Sequence, residues 1–183
     1  MIIQKYENFY NSFIDELEAK GEKAIYLWET NDNKGWTRMI TKLISDVLET
    51  VNDDIKELQT AGIGTTDSYE QSEYLSIDVT AYSDQDWGPL IWAVEHENVL
   101  SKSKIQYCTW KLLNVKSRYK VLICYFQPSS VVCASSFKQL RNFVHEVVQK
   151  YLEDNIFIIG GNWRGEPRKN GWRSIYQYFL NEV

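Results

Sequence analysis

Apolar residues recur every three or four positions from Ile3 through Tyr6, Phe9 or Tyr10 and Phe13 to Leu17, which predicts an amphipathic helix over residues 2–18. Gly21 ends it. Ala24–Trp28 is apolar but too short for its period to separate a strand from a buried connection, and Asn31–Gly35 reads as a turn. The longest regular pattern begins at Trp36. It runs through Met39, Ile40, Leu43, Ile44, Val47, Leu48, Val51 and Ile55 to Leu58 and predicts one long helix. Loop-type composition follows from Thr60 to Ser72. There Gly62-Ile-Gly64 lacks the lysine and the strand-to-helix setting of a phosphate loop.

The period then changes to two. Over residues 73–82, Leu75, Ile77, Val79 and Ala81 alternate with Ser76, Asp78, Thr80 and Tyr82, which predicts a strand. A loop over 83–89 leads to a second strand over 90–97. Ile91, Ala93, Glu95 and Glu97 share one of its faces, and Trp92, Val94 and His96 share the other. A helix is expected over 101–115. Tyr119–Phe126 is a continuous apolar run, as in a strand covered on both faces. Phe137 to Leu152 is again helical in period, and 155–160 reads as a short buried strand ending at Gly160-Gly161. Trp172, Ile175, Tyr176, Phe179 and Leu180 predict a terminal helix. The resulting fold class is α/β, a mixed central sheet flanked by helices on both faces. It reads as a single domain: an N-terminal helical extension (1–35), a core (36–160), and a basic loop with a C-terminal helix (161–183).

Composition narrows the picture. Hydrophobic residues make up 44% of the 183 positions and aromatic residues 14%, so a large aromatic core is available. No apolar run approaches the ~20 residues of a membrane span. The N-terminus does not have the pattern of a signal peptide, and three cysteines without metal-type spacing read as free thiols. Together these features point to a cytoplasmic protein with no membrane partner. The net charge of −5 argues against a protein that coats nucleic acid non-specifically. The charge is unevenly distributed, however. Ser101–Lys120 holds Lys102, Lys104, Lys111, Lys116, Arg118 and Lys120 without an acid, and Arg164, Arg168, Lys169 and Arg173 form a second basic cluster. Each cluster reads either as a solvated surface or as a phosphate-facing side.

The chemistry concentrates in the two alternating strands. Folded as a hairpin about the 83–89 loop, they set Asp78 opposite or nearly opposite Glu95 on one face, with Cβ atoms roughly 5 Å apart. Two carboxylates at that distance repel unless a cation or a raised pKa offsets them. Hard divalent ions take such carboxylates as ligands. His96 points to the other face and reads as a packed histidine. His145 has no partner for a nucleophilic triad, and Cys124 reads as core. Most of the seven tryptophans read as core. Trp163, beside Arg164, is the best candidate to stack on a base.

This order of elements, with Asp78 in Ser76-Ile-Asp78-Val and Glu95 in Val94-Glu95-His96-Glu97, resembles the PD-(D/E)XK nuclease superfamily, the restriction-endonuclease-like fold. The resemblance covers roughly residues 36–126, or to 160 with the last strand. Its motif is an acid on one strand followed by acid-x-Lys on the next. Glu97 stands where the lysine is expected, a departure that some restriction enzymes share. The resemblance implies a Mg²⁺- or Mn²⁺-dependent nuclease acting on DNA, and it admits a homodimer. Asp78 and Glu95 would ligate the metal with the backbone carbonyl of His96. Glu97, or Lys102 or Lys104 from the following helix, would orient or deprotonate the attacking water. Glu49 and Gln106 would support the site, and Lys104, Lys111, Arg164, Arg168 and Lys169 would contact the nucleic acid. The departure at Glu97 and the acidic pI favour a rival reading, a nuclease-fold binding or assembly module without catalysis. A small adaptor with no nucleic-acid role is a third.

Overall fold

The computed structural model describes residues 2–51, 54–60, 77–84, 88–128, 133–151 and 155–181. Three helices open the chain: α1 (Ile2–Ala19), α2 (Gly21–Glu29) and α3 (Asn33–Val51). Three strands follow: β1 (Glu57–Thr60), β2 (Val79–Tyr82) and β3 (Leu90–Glu97). Next come α4 (Lys102–Leu113), β4 (Tyr119–Phe126), α5 (Phe137–Val148) and β5 (Ile156–Asn162). The short α6 (Pro167–Asn170), a 3₁₀ turn at Trp172–Ser174 and β6 (Tyr176–Asn181) complete the described chain. None of the described helices is long and apolar enough to cross a membrane.

The six strands form one mixed sheet in sequential order. β1, β2 and β3 are antiparallel neighbours, β3, β4 and β5 run parallel, and β6 closes antiparallel on β5. Parallel neighbours need crossovers, and crossovers of one hand that step in one direction fall on one face. Accordingly α4 and α5 share a core with Ala93, Leu122, Cys124 and Ile158. α1, α2 and α3 fill the opposite face against Trp92, Val94, Val121 and Phe157.

The N-terminal helix is central to that second core. Tyr6 stacks on Phe157 at 4.9 Å and meets Trp92 edge-on at 5.9 Å, while its hydroxyl accepts the Lys120 N–H at 3.1 Å. Gly21, at φ +50°, breaks the chain between α1 and α2. Residues 24–28 are helical rather than extended and belong to α2. Trp28 from this helix packs on Trp36, Trp163 and Trp172 at 4.7–5.5 Å, which ties α2 to α3 and to the C-terminal segment. Asn33–Gly35, read as part of a turn, forms the first turn of α3. Asp32 caps that turn by accepting the Gly35 N–H at 2.9 Å.

Two expectations from the apolar spacing are corrected. The long helix ends at Val51, and Leu58 lies in β1, which pairs with β2 from Glu57↔Tyr82 to Thr60↔Val79. The terminal helix is instead β6. Tyr178 packs on Tyr10 and Phe157 toward α1, whereas Phe179 lies under Arg141 of α5, so successive side chains go to opposite faces. The spacing of Ile175, Tyr176, Phe179 and Leu180 suits either period. The open edge of β5 decides between them by supplying a ladder of hydrogen bonds. Residues 61–76, which include the glycine-rich loop and the start of the first alternating run, lie outside the described residues.

Gly160 and Gly161 let two layers close on β5. A Cβ at Gly160 would lie 2.4 Å from the Phe137 ring, and one at Gly161 would lie 2.6 Å from the Tyr125 ring. Gly160→Ala therefore overpacks the α5 interface and is expected to cost about 1–3 kcal/mol. A lowered urea midpoint at unchanged m-value checks this.

Candidate active site

Glu95 is set by the alternation of β3. Its neighbours Trp92 and Val94 must face the aromatic core, so Glu95 faces α4 with Ala93. Its side chain is 1% exposed. The β2–β3 ladder pairs Val79 with Val94, so the next position brings Asp78 beside Glu95 on the same face. The Asp78 carboxylate accepts the His96 backbone N–H at 2.7 Å. A residue in an antiparallel pair directs its N–H and C=O to the same neighbour, so the His96 carbonyl lies on the same edge as Asp78.

The compensating cation is Lys111. Its ammonium lies 2.8 Å from Glu95 Oε1, and its side chain is 11% exposed. Burial, and then the Asp78 charge, push the Glu95 carboxyl up to about 8 despite Lys111. Burial draws the lysine down, but the Glu95 charge and hydrogen bond, with Cys108 and Asp78, together outweigh it and the net shift is upward. Cys108 lies beneath, its thiol 3.7 Å from Glu97 Oε2, and burial together with Glu95 keeps it protonated.

The remaining candidate residues are placed as follows. Glu97 accepts the Val99 N–H at 2.7 Å and so turns the chain into α4. Lys102 pairs with Glu146 of α5 at 2.9 Å, and Gln106 donates to the same carboxylate at 3.1 Å. Lys102 and Lys111 are separated by about two and a half helical turns, which sets them on opposite flanks of α4. Lys104 is exposed on the outer face of α4. Glu49 is exposed on α3, roughly 24 Å along the helix from Asn33, whose carbonyl meets Asn98 just past Glu97. The structure therefore does not bring Glu49 to the pair.

The signal for Lys111 lies in helix geometry. α4 returns along β3, and a helix advances only about 1.5 Å per residue against about 3.3 Å in a strand. A partner for Glu95 must therefore come from well inside the helix. Helical side chains also lean toward the N-terminus, so Lys111 reaches back over Tyr107, with its ammonium 5.4 Å from that ring.

His96 points into the aromatic core. Its Nε2 lies 2.9 Å from Tyr125 Oη, which also receives the Trp36 indole N–H at 2.8 Å and the Tyr176 hydroxyl at 3.3 Å. The Tyr125 proton is then directed to Nε2, so the ring is neutral with its own proton on Nδ1. Burial depresses its pKa to about 3. Its side chain is therefore a packing element, and only its backbone lies toward Asp78.

The C-terminal basic cluster is largely paired. Arg168 meets Glu22 at 2.9 Å and Glu29 at 3.3 Å. Arg173 meets Asp15 at 2.9 Å, and Lys169 lies 3.6 Å from Glu166. Arg164 faces the Gln127 amide at 3.1 Å. Trp163 is half-buried between Trp28 and Tyr125, with ring centroids at 4.7 and 4.9 Å.

Two carboxylates and a carbonyl on one edge are hard oxygen donors. They fit Mg²⁺ or Mn²⁺, which take one or two carboxylates and complete their shell with water and phosphate. Among the described residues no group of three or more His, Cys, Asp or Glu side chains that could hold a metal ion is present. A cleft of about 570 Å³ lined by Lys5, Lys56 and Arg118 lies at the opposite end of the sheet and takes no part in this geometry. Compared with protein-family models, with curated proteins and with solved structures, the chain matches none of them.

The two buried titrations give a pH signature for the metal-free protein. Glu95, raised from 4.5, makes stability fall as pH rises toward about 8. His96, lowered from 6.5, makes stability fall as pH drops below that value. The effects oppose each other between 4.5 and 6.5 and leave a net decline from 6.5 to 8. Thermal melts in chelator are expected to show that decline, and Glu95→Gln is expected to flatten it. An equal decline in the variant would refute the assignment.

Proposed function

We propose that this chain is a divalent-metal-dependent phosphodiesterase of the PD-(D/E)XK nuclease type, acting on DNA. The observation that carries the reading is the convergence of Asp78 just before β2, Glu95 of β3 and Lys111 of α4, with the lysine ammonium 2.8 Å from the buried glutamate. Asp78 and Glu95 would hold the cation, joined by the His96 carbonyl. A bound cation would supply Lewis-acid polarisation of the phosphoryl oxygen and a more acidic water. Lys111 would orient that water and would offset the charge that builds on the phosphate. It would fill the role left open by Glu97, from α4 rather than from β3. A restriction-endonuclease-like core accounts for the β1–β2–β3 meander followed by α4 and a parallel β4.

One observation favours a second reading, that of a nuclease-fold binding or assembly module without catalysis. Glu95 is almost fully buried and already paired, and Glu97 is committed to the Val99 N–H. Plasmid nicking in Mg²⁺ or Mn²⁺, with chelator as control, separates the two. Catalysis predicts metal-dependent nicking that Asp78→Asn and Glu95→Gln abolish. Lys111→Ala should reduce it roughly a hundredfold or more, whereas Lys102→Ala should stay near wild type. Nicking that survives in both acid variants overturns the site. Wild-type protein that binds DNA but nicks with neither metal supports the second reading.

A further inference from the structure

The outer face of α4 carries an aromatic pair that the core does not use. Tyr107 and Trp110 are 51% and 45% exposed, and their rings stack with centroids 5.9 Å apart and planes 20° apart. The other described tryptophans are buried or half-buried, so an exposed indole is exceptional among the described residues. Contiguous exposed apolar surface is a mark of binding sites, and these two rings are adjacent.

Two features of the surroundings indicate the ligand. Residues 98–145 contain eight lysines and arginines and no aspartate or glutamate; of these, Lys104 is exposed on α4, whereas Lys102 pairs with Glu146, Lys111 pairs with Glu95, Lys120 is buried and Arg118 lies at the opposite end of the sheet. Lys104 precedes Tyr107 by three residues and lies on the same exposed face. Lys111 touches both the pair and the site, since its ammonium is 5.4 Å from the Tyr107 ring and 2.8 Å from Glu95. Flat aromatic faces flanked by cations match the chemistry of an unpaired nucleic-acid strand, whose bases offer π-faces and whose backbone is anionic. A continuous duplex offers no such faces, because its bases stack on one another.

We propose that Tyr107 and Trp110 form a base-stacking platform that seats an unpaired strand against the Asp78–Glu95–Lys111 site. The inference rests on the nuclease reading for what happens at that site, but the platform itself binds without metal or cleavage. The substrate class that follows is single-stranded DNA, or a duplex with a frayed or overhanging end.

The test is fluorescence anisotropy of the full chain in chelator, with labelled oligothymidylate and a blunt duplex as probes. Wild type should bind the single strand more tightly, with affinity falling as salt rises. Tyr107→Ala/Trp110→Ala should weaken single-strand binding at least roughly fivefold and leave duplex binding unchanged, and Tyr107→Phe/Trp110→Phe should restore it. Both side chains are exposed, so the melting temperature should not move. Equal single-strand affinity in the alanine variant, or equal losses on both probes, overturns the platform. So does a wild-type dimer in sedimentation that the alanine variant dissociates, since the pair is then a protein contact. Single-strand binding lost only in the alanine variant, with no nicking under any metal, upholds the platform while the nuclease reading fails. Nicking of a single strand that the alanine variant performs as well as wild type does the reverse.

Discussion

Burying a carboxylate in the middle of a strand is the constraint around which this protein is built. Taking Glu95 out of water carries a desolvation cost that nearby charges must offset. Lys111 supplies part of the offset at 2.8 Å, from an α4 that packs on β3 through Ile105, Cys108 and Leu112. Asp78 works in the opposite direction, adding a second negative charge to the same pocket. A structure optimised for stability alone would place an apolar residue at one of these positions. The site is therefore held in an electrostatically costly state by the packing around it.

The sheet that carries the site is locked from its other face. Tyr6, Phe9, Trp92 and Phe157 lock α1 onto the centre of the strands, and Trp28, Trp36, Trp163 and Trp172 tie α2, α3 and the C-terminal segment together. Tyr125 joins this layer to the site through His96, whose backbone N–H holds Asp78. The sheet also divides the charge. Acids on α1 and α2 take up Arg168 and Arg173, while α4 keeps Lys104 exposed on its outer face.

Much of the site was legible in strand alternation. The period of two from Ile77 to Ala81 and from Trp92 to Glu97 sets Asp78 and Glu95 on one face and His96 on the other, and the structure has that arrangement. The identity of the lysine was not legible. Lys102 and Lys104 are nearer in sequence, but a helix returning along a strand brings a residue two to three turns further in against Glu95. Lys102 instead turns to Glu146 on α5, a contact between segments far apart in the chain.

The fold divides in the same way. Local pattern sufficed wherever one period persisted in a segment that packs on itself or on a near neighbour: α1, α4, α5, β3 and β4. It failed where spacing suited two periods and a distant partner decided. Leu58 continues the helical period of α3 yet pairs with β2, and Tyr176–Asn181 reads as helix yet closes the edge of β5. The amino-acid sequence by itself determined which side chains are apolar, which strand faces carry acids and where charge collects, because those follow from residue order alone. Tertiary structure decided which cation meets Glu95, which basic residues are neutralised and which aromatic rings stay exposed, because each depends on what the rest of the chain brings alongside.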